Sequence, residues 1–341
     1  MLDAYLTPIR KFLSNTGVRI YRIPCQVFET LSARVYLLIG AGPPPLVDAG
    51  SSLDSSSRQI LAGVEAVHDD FGEDVRPGDI RRIIISHGHV DHVGGLPALL
   101  KTMPAQVAIH PLDRAAIASC REHLVLGAVR LRGFFRRAGV DAARQAELLR
   151  MSPYQWAPRE NVAVGLTFED GDELDGLRIF HTPGHSPGHV CIGVGNVLLS
   201  GDHILSQTLP HHWPESATAY TGLGHYLESL EKVRRVPGFE LTLAAHEQPI
   251  HDVYRRIATI RAAHRRRLER LLDLLRRAAR PLSIDEIAAQ SYPEVTAFRA
   301  VLAITDIGSR VEYLHQRGQL TVANLDEIQR DETAAFRYCP V

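Results

Sequence analysis

Three imidazoles and a carboxylate fall within six positions at His87-Gly88-His89-Val90-Asp91-His92, and no other stretch constrains the chain as much. Neutral imidazole and ionised carboxylate are the ligand types that zinc and related ions accept, so the stretch suits a metal site and would make a poor core. Ahead of it runs Ile83-Ile84-Ile85, β-branched and apolar, which reads as the end of a buried strand. Behind it, Gly94-Gly95-Leu96-Pro97-Ala98-Leu99-Leu100 reads as a tight turn into a helix. The histidines therefore belong to a loop at the carboxyl end of a strand, where open α/β sheets place their ligands.

The same pattern recurs along the chain. Residues 18–24 and 33–39 alternate like strands, a Gly/Pro turn spans 40–45, and Leu46-Val47-Asp48-Ala49-Gly50 reads as a short strand ending in glycine. Asp48 reads either as the cap of a helix around 57–67 or as a group that orients a metal-binding histidine. Residues 162–167 and 177–181 return to strand character, and the second of these feeds Thr182-Pro183-Gly184-His185-Ser186-Pro187-Gly188-His189. Residues 197–200 lead to Gly201-Asp202-His203, and residues 241–245 lead to His246-Glu247. A core histidine explains any one of these; an apolar strand followed by a ligand, met four times, is what a single site at one end of a layered structure requires.

The segments SHGHVDHVGG, TPGHSPGHV, LLSGDH and AAHE, in this order, resemble the metallo-β-lactamase superfamily over roughly residues 18–250. The resemblance implies an α/β (α+β) fold, an αββα sandwich with a two-metal site. Carried over residue by residue, it puts His87, His89 and His185 on one metal and Asp91, His92 and His246 on the other, with Asp202 bridging. It matches the first histidine of the second segment, so His189 is expected beside the site and not in it. Zinc is the default ion, and iron or manganese accept the same donors. Two divalent ions about 3.5–4 Å apart can share a water and bring its pKa toward neutrality, and Asp91 is then the expected proton shuttle. The implied reaction is hydrolysis of an ester, thioester or lactone of a small acyl substrate, similar to glyoxalase II and the acyl-homoserine lactonases. The alternative is a lactamase-fold ribonuclease that cleaves phosphodiesters.

A length of 341 residues suits a catalytic domain over 1–250 with an appendage over 251–341. Thirty-eight Lys and Arg against thirty-nine Asp and Glu leave a formal charge of −1, so no global field points to nucleic acid or an anionic membrane. The four cysteines are far apart and form no CxxC pair, which argues against a disulfide framework and for a reducing compartment. The first residues lack the apolar core of a signal peptide and no run is long enough to span a membrane, so a cytoplasmic protein without a membrane partner is expected.

Residues 110–157 read as a helical insertion, because Leu124, Ala128, Leu131, Phe135 and Ala138 recur at helical spacing. It is expected to be a packing layer, or else a pocket wall to which Met151, Tyr154 and Trp156 contribute together with Trp213. Val253, Ile257, Ile260, His264, Leu268, Leu271 and Leu275 make the apolar stripe of one long helix, whose other face carries nine arginines from Arg255 to Arg277. That face reads as solvated, or as a contact to phosphates. Ser283 and Glu286 set a capping box, a helix follows over 295–317, and residues 320–322 form a short strand. This tail resembles the winged-helix appendage on one branch of lactamase-fold hydrolases. Asp306 and Glu312 share its third helix with Arg310 and Arg317, so nucleic acid is not favoured. The tail is expected to pack on the catalytic domain or on a second subunit of a homodimer.

Overall fold

The computed structural model describes residues 8–40, 42–152 and 160–341. Apolar alternation near the amino terminus produces three antiparallel strands, β1 (Arg10–Leu13), β2 (Arg19–Phe28) and β3 (Leu31–Ile39). β2 and β3 pair as a long hairpin, from Arg19 opposite Ile39 to Gln26 opposite Ser32. The chain then changes to strand–helix alternation with β4 (Pro45–Val47), α1 (Asp54–Phe71), β5 (Arg82–Ile84), α2 (Val90–Val93), α3 (Leu96–Leu99) and β6 (Gln106–Ile109). β4, β5 and β6 are parallel neighbours, which brings their carboxyl ends to one edge.

The insertion follows as α4 (Ala115–Ala118), α5 (Cys120–Arg137) and α6 (Ala142–Arg150), after which β7 (Val164–Thr167) completes a seven-stranded sheet in the order β1-β2-β3-β4-β5-β6-β7. A second sheet is built from β8 (Glu173–Leu174), β9 (Leu177–His181), β10 (Val190–Val194) and β11 (Val197–Gly201). A helix, α7 (Leu223–Arg234), crosses to β12 (Leu241–Ala244), which adds parallel to β11.

Because side chains alternate along a strand, each sheet presents two apolar faces. The inner faces meet through Ile20, Tyr36, Leu38 and Ile84 from one sheet and Ile179, Ile192, Leu199 and Leu243 from the other. On the outer face of the first sheet, Ile60, Val64 and Val67 of α1 pack on Tyr21, Ile23 and Val35. On the outer face of the second, α7 and the first half of α8 (Val253–Arg277) bury Leu223, Tyr226, Ile257 and Ile260 against Phe180, Cys191 and Leu198. The result is the expected αββα sandwich.

The second half of α8 leaves the sandwich and leads into α9 (Ile284–Ser291), α10 (Phe298–Gln316), β13 (Leu320–Val322), α11 (Leu325–Arg330) and β14 (Tyr338–Pro340). β13 and β14 pair antiparallel, and the capping box at Ser283 and Glu286 is formed. The insertion packs here: Leu131, Phe134, Phe135 and Leu148 share one core with Leu271, Leu275, Ile287, Val301, Ile304 and Tyr338. Trp213, read from the sequence as a pocket wall, lies in this second core at 8 % exposure. Its ring is too large and apolar to stay at a mouth when a helical core is adjacent. Tyr154 and Trp156 lie outside the described residues. Among the described residues, no helix is long and apolar enough to cross a membrane.

Candidate metal centre

The edge where β4, β5, β11 and β12 end gathers two groups of ligand-type side chains. His87, His89 and His185 form one; Asp91, His92, Asp202 and His246 form the other, and within each group the ligand atoms all lie within 4.8 Å of one another. The local sequence explains the placement. The loop that leaves β5 carries His87, and His89 in extended backbone stands at the N-cap position of α2, whose four residues include Asp91 and His92. The turn that follows needs glycine: a Cβ on Gly95 would sit 2.1 Å from the carbonyl oxygen of Ala49. That contact is what lets α2 lie against the end of β4.

Each ring except that of His89 is held from behind. His92 Nδ1 is 2.9 Å from Asp48 Oδ2, His185 Nδ1 donates to the His211 carbonyl at 2.8 Å, and His246 Nδ1 donates to the Ser32 carbonyl at 2.9 Å. Ser86 donates its hydroxyl to Asp48 at 2.9 Å, which leaves its oxygen to accept from His87 Nδ1 at 3.1 Å. A histidine fixed through Nδ1 presents Nε2, the arrangement that orients metal ligands. Asp48 therefore steadies one ring in each group, directly or through Ser86. It does not cap α1, whose first turn has no side-chain cap, so of its two sequence readings the orienting one holds. Its backbone is held at φ +66°, as that of Glu247 beside His246 is at +67°, and such strain is typical of functional strand ends.

Around Asp202, within the second group and across to His185, the ligand atoms stand at distances that suit a shared cation better than each other. Asp202 Oδ2 is 3.5 Å from His185 Nε2 and 3.6 Å from His92 Nε2, Asp202 Oδ1 is 3.5 Å from His246 Nε2, and Asp91 Oδ2 is 3.3 Å from His246 Nε2. Direct charge-assisted bonds would be about 2.7–2.9 Å, whereas two ligands each about 2.0–2.1 Å from a tetrahedral ion stand about 3.3–3.4 Å apart. His92 Nε2, His185 Nε2 and Asp202 Oδ1 are buried without a hydrogen-bond partner. Buried polar atoms are seldom left so, and the donor set fits two divalent ions.

The electrostatics divide in the same way. Burial, with repulsion from neighbouring rings, drives His87 far below the usual histidine range and His89 to about 3, giving neutral imidazoles ready to bind. In the other group burial opposes every charge but is outweighed. Asp91 is pulled to about 2 by His92 and His246, and Asp202 is held well below the carboxylate range by His246 and His92. Reciprocally, His92 is held well above its ordinary value by Asp91 and Asp48, and His246 is raised to about 9 by Asp202 and Asp91. Protons on these two rings balance the carboxylates, a role that cations would take over.

His189 accepts from the Asp202 amide through Nε2 at 3.1 Å and meets Thr182 Oγ1 through Nδ1 at 2.8 Å. It positions the backbone of Asp202 and is not in either ligand group. Two further residues were not legible as site residues. Asp113 accepts from the Gly88 amide, the Ser186 hydroxyl and the Gly188 amide, each at 2.8 Å, and so ties the two histidine loops together. Glu247 accepts from the backbone and side chain of Thr208, from Gln207 N and from Ser206 Oγ, fixing the segment after Asp202. The only sequence signal for Asp113 was its place just beyond an apolar strand at the same sheet edge.

A layered αββα fold with paired His/Asp clusters at the strand ends defines a metallo-hydrolase type of protein. The chain belongs to the metallo-beta-lactamase superfamily, whose family model matches residues 30–276. It is 22% identical over 320 residues to the "probable metallo-hydrolase YqjP" of Bacillus subtilis, covering 91% of this chain and 95% of that protein. It is 30% identical over 167 residues to a hydroxyacylglutathione hydrolase of Anaeromyxobacter dehalogenans, a match that spans 49% of this chain and 44% of the relative. Among solved structures, a metallo-beta-lactamase family protein from Thermus thermophilus superposes with a TM-score of 0.72 at 24% identity, over 94% of this chain and 98% of that one.

Proposed function

We propose that this hydrolase acts on an ester, thioester or lactone of a small acyl substrate. In this reading two divalent ions are held by His87, His89 and His185 on one side and by Asp91, His92 and His246 on the other, and Asp202 serves both. The observation that carries it is the adjoining pair of ligand groups with buried, unpartnered ligand atoms facing each other across Asp202. Ions held there would supply a water of near-neutral pKa and polarise the acyl oxygen. Asp91 and Asp202 would offset the ionic charge, and Asp91 would take up the water's proton. Asp48, Ser86 and the carbonyls of Ser32 and His211 keep the rings aimed. Zinc suits this nitrogen and oxygen set, with iron or manganese as the other candidates. Catalysis belongs to residues 1–250 in this reading, and residues 251–341 support them.

A cleft lies beside the histidine loop, where Val90 is part of its wall. It measures about 650 Å³ and is lined by Val27, Phe28, Leu53, Val90 and Phe298 with Thr30, Ser51, Ser52 and Glu29. Apolar walls suit an acyl chain. Glu29 is the single charged group of the lining, and a carboxylate there repels a phosphodiester backbone. The relative named for hydroxyacylglutathione is consistent with acyl hydrolysis. A panel of thioesters, lactones, phosphodiesters and structured RNA on metal-loaded protein is expected to show turnover of acyl substrates; turnover of RNA alone would overturn this reading. Asp202→Ala is expected to lose metal and activity together, and elemental analysis finding two ions per chain in that variant would refute the bridging role.

A further inference from the structure

Arg22 lies in the middle of β2, on the face turned toward the second sheet, and is 1 % exposed. Its Nε, Nη1 and Nη2 all lack a hydrogen-bond partner. The strand register sets Tyr36 opposite Arg22 and Arg34 opposite Pro24, so Arg34 is the diagonal neighbour on the same face. Arg34 is 6 % exposed; its Nη1 donates to Ser32 Oγ at 2.8 Å and to the Ala33 carbonyl at 3.2 Å, while its Nε has no partner. Burial disfavours the charge on both guanidiniums; Tyr36 favours it on each and Cys25 on Arg34, while Arg34 and Arg10 repel Arg22, and no carboxylate is among these neighbours.

A buried charge with no counterion is among the most costly arrangements a fold can hold, and a second like charge beside it adds to the cost. Two guanidinium forks with spare N–H donors and a shared sign are the complement of an oxyanion, which accepts from such forks in pairs. We propose that Arg22 and Arg34 form a site for a small oxyanion, a phosphate or carboxylate group, on the flank of the ligand cluster. The placement is close to that cluster through the backbone. Arg34 N donates to the Ala245 carbonyl at 2.7 Å, Tyr36 donates its hydroxyl to the Ala244 carbonyl at 2.5 Å, and Ser32, which receives Arg34, also receives His246. An anion drawn between the two arginines would thus brace the strand end that carries His246. Arg10, paired with Arg22 in register and exposed on β1, gives the site a cationic outer rim.

The probe is inorganic phosphate, titrated at constant ionic strength into the full-length, metal-bound protein, with calorimetry and the thermal midpoint as readouts. The expected result is a saturable rise in Tm and a 1:1 isotherm for wild type, with the phosphate Kd at least about tenfold weaker in Arg22→Met and in Arg34→Met. Arg22→Lys keeps the charge but not the fork, and is expected to weaken binding as well. It carries the comparison if Arg22→Met does not fold. Metal content, read by elemental analysis, is expected to be unchanged in all three variants, which separates this site from phosphate bound at the metals. An isotherm absent in wild type, or unchanged in all the arginine variants, would overturn the proposal and leave the hydrolase reading intact. Inhibition by phosphate of chromogenic acetyl ester hydrolysis, with KM raised and kcat constant in wild type only, would assign the site to an anionic group on the substrate. Stabilisation with KM unchanged would assign it to a free ion.

Discussion

Asp48 is a small residue with a large reach, because one carboxylate holds the Ser86 amide and hydroxyl and the His92 ring. Removing such an outer support typically weakens metal binding about 10–100-fold. Asp48→Ala is expected to do so in a chelator competition, with the fold kept by circular dichroism; an unchanged affinity would deny its orienting role. Glu73 offers a pH test remote from the site. It accepts from Arg19 Nε at 2.6 Å and Nη2 at 2.9 Å, and from the Tyr21 hydroxyl. The bonds from Arg19 outweigh burial and lower its carboxyl from 4.5 to about 2. A depressed acid stabilises the fold fully above its unfolded pKa, and that contribution is lost as pH falls from about 5 toward 2. After allowing for the solvent around Arg19, it is worth about 1–2 kcal/mol. Glu73→Gln is expected to be less stable than wild type at pH 7, and denaturation midpoints at pH 3 should show most of that gap closed.

At the scale of elements, α8 decides how the two cores are joined. Its amino-terminal half buries Val253, Ile257 and Ile260 against the second sheet, and its carboxyl-terminal half buries Leu271 and Leu275 against the insertion and tail. One amphipathic stripe serves both, which is why the sequence showed it as a single long helix. Leu271→Ala is expected to cost about 2–5 kcal/mol of stability, the range for a truncated core leucine, and urea unfolding would measure it. A loss below about 1 kcal/mol would mean that the second core is not closely packed. α10 reaches the ligand cluster by another route. Thr305 gives its proton to the Val301 carbonyl at 2.7 Å and accepts from His211 Nε2 at 3.1 Å, while the His211 carbonyl holds His185. Among the arginines of α8, Arg255, Arg265, Arg266 and Arg270 are exposed, whereas Arg256 donates to the Leu205 carbonyl at 2.6 Å and the Thr208 carbonyl at 2.5 Å and so holds the segment after Asp202.

For the molecule as a whole, the insertion and the tail depend on each other. Leu131, Phe134, Phe135 and Leu148 have their apolar partners in α8, α9 and α10. Ending the chain after residue 250 would strip that cover, and also the half of the outer layer on the second sheet that α8 supplies. Exposed apolar patches of this extent drive association. The shortened chain is expected to aggregate or to bind a hydrophobic dye strongly in size-exclusion and fluorescence assays. A monodisperse fragment with unchanged thermal midpoint would show that the two cores are independent.

The sequence alone carried the chemistry of the ligand set and the strand order that presents it. Short-range pattern supplied the frame: SHGHVDH follows a β-branched triplet, and His185, Asp202 and His246 each lie beyond an apolar run that reads as a strand, while the choice of His185 over His189 came from the resemblance to the metallo-β-lactamase superfamily. It also carried α8 and the capping box at Ser283, since a 3.6-residue stripe and a Ser-x-x-Glu spacing are local features. What only the tertiary structure decided depends on pairs far apart in the chain. Asp48 is 44 positions from His92, Asp113 is 75 from Gly188, and Trp213 turns into a core made by helices on either side of it in sequence. No periodicity encodes which of two neutral readings such a residue takes. The choice is made when the sheets stack and bury it, because only then do an unpaired carboxylate or a large ring have to find a particular partner.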